Sequence, residues 1–174
     1  TASYTLLPDI LDCQEFINAD EIARGLSPFK PEKAAIKAGR IMLNSIKELI
    51  NAKADFAFET TLSTKSYANL VKKAQENGYF VILVFFWLNS VSLAKERVRI
   101  RVKEGGHFID NETIVRRYTN GIKNLVNIYS DIVDYWIIID NSDTPSDLIA
   151  EGDKLKSRKI YNPISWNKII DHAK

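Results

Sequence analysis

Two carboxylates stand where short apolar runs end. Asp20 closes Phe16-Ile17-Asn18-Ala19-Asp20, and Glu59 closes Asp55-Phe56-Ala57-Phe58-Glu59. A carboxylate beside a substrate hydroxyl accepts its proton as the oxygen attacks. A second carboxylate on a neighbouring strand can hold Mg²⁺ through water or position the substrate. Thr60, Thr61 and Ser63 follow Glu59 and add hydroxyls to the same place. The competing account makes both acids solvated strand ends, as most surface carboxylates are. The hydroxyls would then serve as helix caps.

A second set is basic. Arg97, Arg99, Arg101, Arg116 and Arg117 flank Gly105-Gly106. On a helix, Arg97 and Arg101 are four apart and share a face. The planar guanidinium bonds two phosphate oxygens at once, and two helices joined at a glycine hinge can close over a nucleotide as a lid. Glu96, Glu104, Asp110 and Glu112 lie among these arginines, so a merely solvated mixed-charge face competes with that reading. His107 follows the glycines and reads as a surface-loop histidine. Trp87, Trp136 and Trp166 read as core. No H-E-x-x-H spacing and no Ser–His–Asp arrangement occurs.

Composition narrows the classes. The 174 residues are 45% apolar and 26% charged, as in an ordinary globular domain. A chain of this length buries about 70% of its unfolded surface, enough for a core without staples. A net charge of +2 lacks the footprint of a nucleic-acid or anionic-membrane binder. The apolar run 80–88 is half the length of a membrane span. Cys13 is the single cysteine, so an internal disulfide and a multi-cysteine zinc site are excluded. With no signal peptide visible, a reducing, cytoplasmic setting is expected.

The elements that must position these residues alternate. A helix over residues 1–7 ends near Pro8. A short strand over 16–20 and a loop at Ser27-Pro28-Phe29 follow. A long helix runs from Pro31 or Glu32 to Ala52, with Ile36, Ile41, Met42, Ile46, Leu49 and Ile50 as its apolar face. The strand and rim 55–63 lead into a helix over 64–77, stopped by Gly78. Residues 79–88 are apolar on both faces, as in a strand covered on both sides. A helix begins at Asn89-Ser90. Another, capped by Asp110 or Asn111, spans 112–134. A strand over 135–139 ends in Asp140-Asn141-Ser142, and a polar helix or loop over 146–153, a short apolar piece at Ile160-Tyr161 and a helix after Pro163 close the chain. Alternating strands and helices imply an α/β fold with a mainly parallel sheet and helices on both faces. Its strand ends, at Asp20, Glu59, Asn89 and Asp140-Asn141, would share the edge where such sheets bind ligands.

Several of these segments, taken in order, resemble the zeta-toxin family of P-loop kinases, in its predicted-ATPase branch. They are Leu6-Leu7-Pro8, residues 16–23, Gly25-Leu26-Ser27-Pro28, Ala38-Gly39-Arg40, residues 56–62, Trp87-Leu88-Asn89-Ser90, Glu96-Arg97-Val98, Gly105-Gly106-His107, Arg116-Arg117-Tyr118 and Asp140-Asn141-Ser142. The resemblance implies a P-loop NTPase-like three-layer α/β/α fold over 1–174, with 90–118 as its lid. It implies transfer of the γ-phosphate of Mg·ATP to a small-molecule hydroxyl, such as that of UDP-N-acetylglucosamine, and an antitoxin protein as partner. Asp20 resembles the catalytic base, Glu59 the acid near Mg²⁺ and substrate, and Arg97 the first lid arginine. Arg116 or Arg117 resembles the second. Thr60, Thr61 and Asn89 fall at positions that contact the substrate or the water of Mg²⁺. Arg97 and Arg101 fall beside the nucleotide, and Asn141 near its adenine.

One departure is large. No G-x-x-x-x-G-K-[ST] occurs in the 174 residues, and that loop cradles the phosphates and supplies a lysine and an Mg²⁺ hydroxyl. Aligned on Leu6-Leu7-Pro8, Thr1 falls just past the loop. The family's first strand would also be missing, leaving a buried sheet edge unpaired. The expectation is therefore a truncated kinase domain, lacking about 15–20 residues and inactive as given. The rival readings are a P-loop-derived binding module that is not catalytic, and an ATPase whose only acceptor is water.

Overall fold

A computed structural model describes residues 13–106, 108–155 and 157–174. The helix expected over residues 1–7, and His107, lie outside that set. The chain divides between Thr60 and Thr61 into two compact units.

The first unit holds strand β1 (Phe16–Ile17), helix α1 (Ala19–Leu26), helix α2 (Pro31–Ala52) and strand β2 (Ala57–Phe58). The strands pair in parallel, Phe16 with Ala57 and Ile17 with Phe58. Asp20 does not end β1 as expected: it lies in the first turn of α1. The cause is Asn18, whose Oδ1 accepts the free N–H groups of Asp20 (2.8 Å) and Glu21 (3.4 Å) and starts a helix one residue after the strand. Helices α1 and α2 meet through Ala23, Ala34 and Ala38, small residues that let two backbones approach. Helix α2 starts at Pro31, where a missing N–H is harmless. Its buried stripe is Ala34, Ala38, Met42, Ile46 and Ile50, a strict four-residue repeat. Ile36, expected on that face, is 76% exposed. Two residues from Ala38 on a helix is more than half a turn away.

The second unit holds helix α3 (Tyr67–Glu76), strand β3 (Ile82–Trp87), helix α4 (Val91–Lys103) and helix α5 (Asn111–Asn124). Helix α5 continues through a π-helical turn, Leu125–Tyr129, into the short α6 (Ser130–Ile132). Strands β4 (Tyr135–Asp140), β5 (Asp147–Asp153) and β6 (Arg158–Ile160) and helix α7 (Pro163–Ala173) complete it. The sheet order is β3-β4-β5-β6. Strands β3 and β4 are parallel, from Ile82 opposite Tyr135 to Trp87 opposite Asp140. The remaining two pairings are antiparallel. The α/β class is thus as read from the sequence, with a C-terminal antiparallel hairpin in place of the helix or loop expected over 146–153.

That hairpin exists because Ile149, Ala150 and Gly152 are buried, which the polar look of the segment conceals. The core joins Trp87, Trp136 and Ile138 of the sheet to Ile122, Leu125 and Tyr129 of the long helix and Ile169 of α7. Trp136 stacks on Trp166, their ring centroids 5.9 Å apart. The π turn keeps Leu125, Tyr129 and Val133 all turned inward. Helix α3 stops at Gly78, as expected, which takes a φ of 88°. Its N–H bonds Gln75 and the next bonds Ala74, the pattern of a left-handed helix stop.

Candidate functional site

In the first unit the two carboxylate-bearing strand ends are joined by Asn18. While its Oδ1 caps α1, its Nδ2 donates to Glu59 Oε2 at 3.1 Å. Glu59 leaves β2 beside it, its N–H bonded to the Ile17 carbonyl at 3.1 Å. Parallel pairing therefore brings Asp20 and Glu59 to one edge, both exposed, with half-buried Thr60 next in the chain. Asn18 was not singled out by sequence reasoning. The signal was available: an asparagine after an apolar pair and before Asp20-Glu21 has the pattern of a helix cap with acids in the first turn.

Thr61 opens the second unit on a segment strapped to α5. Asn124 Nδ2 donates to the Leu62 carbonyl at 2.9 Å, and the Tyr129 hydroxyl donates to the Thr64 carbonyl at 2.7 Å. A Cβ on Gly121 would lie 2.8 Å from the Thr61 carbonyl oxygen, so only glycine admits this approach. Leu62, 3% exposed, takes a φ of 56°, a left-handed conformation that costs a branched side chain about 1–2 kcal/mol. The strap holds Thr61 and Ser63 with their hydroxyl oxygens 3.0 Å apart. Strain retained by surrounding contacts is a common mark of functional segments.

At the carboxyl edge of the four-stranded sheet, Asn89, Arg97 and Asn141 are brought together. Asn141 N–H donates to the Trp87 carbonyl at 2.8 Å, across the parallel pair. Asn89 N–H donates to Ser142 Oγ at 2.9 Å. Ser142 donates in turn to Asp140 Oδ1, from its amide at 2.9 Å and its hydroxyl at 2.5 Å. Arg97 Nη2 donates to the carbonyls of Asn141 (2.5 Å) and Ser142 (3.1 Å). Among the described residues its Nη1 and Nε make no hydrogen bond, so half of the fork remains for an anion. The Tyr118 hydroxyl donates to the Leu88 carbonyl at 2.8 Å. The indole N–H of Trp87 lies near that hydroxyl but short of full hydrogen-bond geometry. Burial raises the Tyr118 pKa, and the charge of Asp140 adds to the rise.

The other arginines are placed less closely. Arg101 lies one turn after Arg97 on α4, and Gly106 packs against it, its N–H on the Arg101 carbonyl at 2.8 Å. Helix α4 ends at the glycines, as read from the sequence, and packs on α5. Arg116 is exposed and reaches Thr113 Oγ1 at 3.4 Å; Arg117 is half-buried. Nothing in their contacts selects one over the other. Among the described residues no three His, Cys, Asp or Glu side chains gather to hold a metal, and no helix is long and apolar enough to cross a membrane.

The family model described as "Zeta toxin" matches residues 13–150. A protein of Haemophilus influenzae, described as uncharacterized, is 37% identical over 105 residues, which span 60% of this chain and 75% of that protein. No solved structure matches.

Proposed function

The chain belongs to the zeta toxin family of P-loop kinase-like proteins, and from that premise we propose that it transfers the γ-phosphate of Mg·ATP to a small-molecule hydroxyl. A UDP-activated amino sugar such as UDP-N-acetylglucosamine is the proposed acceptor. The observation that carries the reading is the Asn18 bridge, which fixes the helix of Asp20 and the carboxylate of Glu59 with one side chain. In this reading Asp20 takes the proton of the attacking hydroxyl. Thr60, Thr61 and Asn89 contact the acceptor. Arg97 and Arg101, with Arg116 or Arg117, neutralise charge that develops on the transferred group, and Asn141 lies by the adenine. Positioning and charge neutralisation supply most of the rate in such transfers.

The donor set fits Mg²⁺ held mainly by water and phosphate. Glu59 provides one carboxylate, and Mg²⁺ sites of this class use only one or two. When bound, the ion would offset the charge of the β- and γ-oxygens. An antitoxin partner and a cytoplasmic setting belong to the same proposal.

A binding module without catalysis is the second reading. It is favoured by the use of Arg97 Nη2 on main-chain carbonyls. The full-length protein of the gene should be assayed with Mg·ATP and a panel of UDP-sugars, following both phosphorylated product and free phosphate. Asp20→Asn should lower transfer by about 10²–10⁴-fold while nucleotide affinity, read by calorimetry, changes little. Full activity in that variant would remove Asp20 as the base. Nucleotide binding with no product would leave the module, and free phosphate alone would leave an ATPase.

A further inference from the structure

Helix α4 carries Arg97 and Arg101, yet it contains no fully buried residue. Its apolar side chains Val91, Leu93, Ala94 and Val98 are only half-buried, so apolar burial alone fixes its direction weakly. Beside its packing on α5 and the Arg97 bond to the Asn141 carbonyl, polar contacts at the carboxyl edge of the sheet help to hold it, and several pass through Ser142, 8% exposed. The Ser142 hydroxyl has one proton, given to Asp140 Oδ1, so its lone pairs face the N–H of Asn89. Asn89 precedes Ser90, whose Oγ caps α4 by accepting from Leu93 N–H at 3.2 Å. The Ser142 amide is tied to the same aspartate oxygen. That orients the Ser142 carbonyl, which accepts from Arg97 Nη2 in the second turn of α4. One residue thus holds the helix at its start and again a turn and a half later. Because the site is shielded from water, its loss would not be made good by solvent.

We propose that Ser142 is a positioning residue for the nucleotide. Its hydroxyl sets the turn at Asn89, its carbonyl sets the plane of the Arg97 guanidinium, and together they aim α4 at the phosphates. The inference rests on the kinase reading above. It concerns Ser142, which lies outside the proposed set of Asp20, Glu59 and the arginines, and so extends that set.

Two measurements on the full-length protein test it. Hydrogen exchange without nucleotide reads the latch itself. Calorimetry with Mg·ATP reads its use. Ser142→Ala should speed exchange at Asn89 and in the first turns of α4, and weaken Mg·ATP by about tenfold, the effect of one lost buried hydrogen bond. Ser142→Thr keeps the hydroxyl and should restore both. If the alanine variant does not fold, Ser142→Cys, with its weaker donor, should give an intermediate shift in both readings. Arg97→Lys combined with Ser142→Ala should weaken binding by less than the sum of the two changes, because both act on one contact. Unchanged Mg·ATP affinity in folded Ser142→Ala, with wild type binding normally, overturns the proposal and leaves the kinase reading intact. Failure of wild type to bind Mg·ATP overturns both, whatever the exchange data show for the latch.

Discussion

Strand β4 has an aspartate at each end, and the two are wired for different ends. Asp134 comes just before the strand. Its Oδ2 accepts from Val81 N–H at 2.8 Å and Gln75 Nε2 at 2.9 Å, and its Oδ1 takes the ammonium of Lys154. Burial opposes its ionisation, but the hydrogen bonds from Lys154, Val81 and Gln75 outweigh that and hold its pKa below the ordinary value. Asp140, the last residue of the strand, accepts only from Ser142 and only on Oδ1 among the described residues. Arg97 bonds the carbonyls of the two residues that follow Asp140 and, among the described residues, forms no ion pair with it. The amino end is a closed charge cluster that locks α3, β3 and the hairpin together. The carboxyl end orders its groups but keeps a carboxylate oxygen and part of a guanidinium unused. That is the division expected of a sheet whose ligands meet its carboxyl edge.

The largest test of this contrast is Asp134→Ala against Asp140→Ala, compared by urea unfolding. Removing Asp134 leaves the part-buried Val81 N–H and Gln75 amide short of a partner and should cost about 2 kcal/mol. Removing Asp140 loosens one serine and should cost about half of that. Equal losses would mean that both ends are structural. Acid comes next. Since the folded pKa of Asp134 is depressed, its stabilisation is complete above the unfolded carboxylate pKa and is lost as pH falls through the lower folded value. Wild type should therefore lose more stability than Asp134→Asn between about pH 5 and pH 2; parallel curves would dismiss the cluster as a source of acid sensitivity. The smallest effect belongs to Lys154→Met. Lys154 is 49% exposed, so its ion pair is worth less than about 1 kcal/mol. A larger loss would show that the ion pair, and not Val81 and Gln75, closes that end.

The sequence made some of this legible and hid the rest for physical reasons. Helix α2 was readable from Pro31 to Ala52 because a proline start and a long period leave strong marks. Strand β3 showed as an apolar run. Strands β1 and β2 were legible as short apolar runs, though they are shorter than read, with two residues each, and α1 was missed because its cap follows the strand directly. Strand β5 was missed because Asp147, Glu151 and Asp153 mask the residues it buries. At the proposed site, residue types pointed to Asp20, Glu59 and the arginines. The partners that orient them, Asn18 at 41 residues from Glu59 and Ser142 at 45 from Arg97, depend on chain pairings that local pattern does not record.

Gly121 carries a wider consequence. The height of the Thr61–Ser63 hydroxyls above helix α5 is gauged by an atom that is not there, since any β-carbon at 121 would collide with the Thr61 carbonyl. Position 121 is on a helix, buried, and unremarkable in chemistry, yet it acts as a spacer for groups on another part of the chain. An alanine there would add one methyl and change no functional group, and it would still shift those hydroxyls as surely as a change at Thr61 itself. Inheritance of the loop's geometry is thus tied to a residue that a search for reactive side chains passes over.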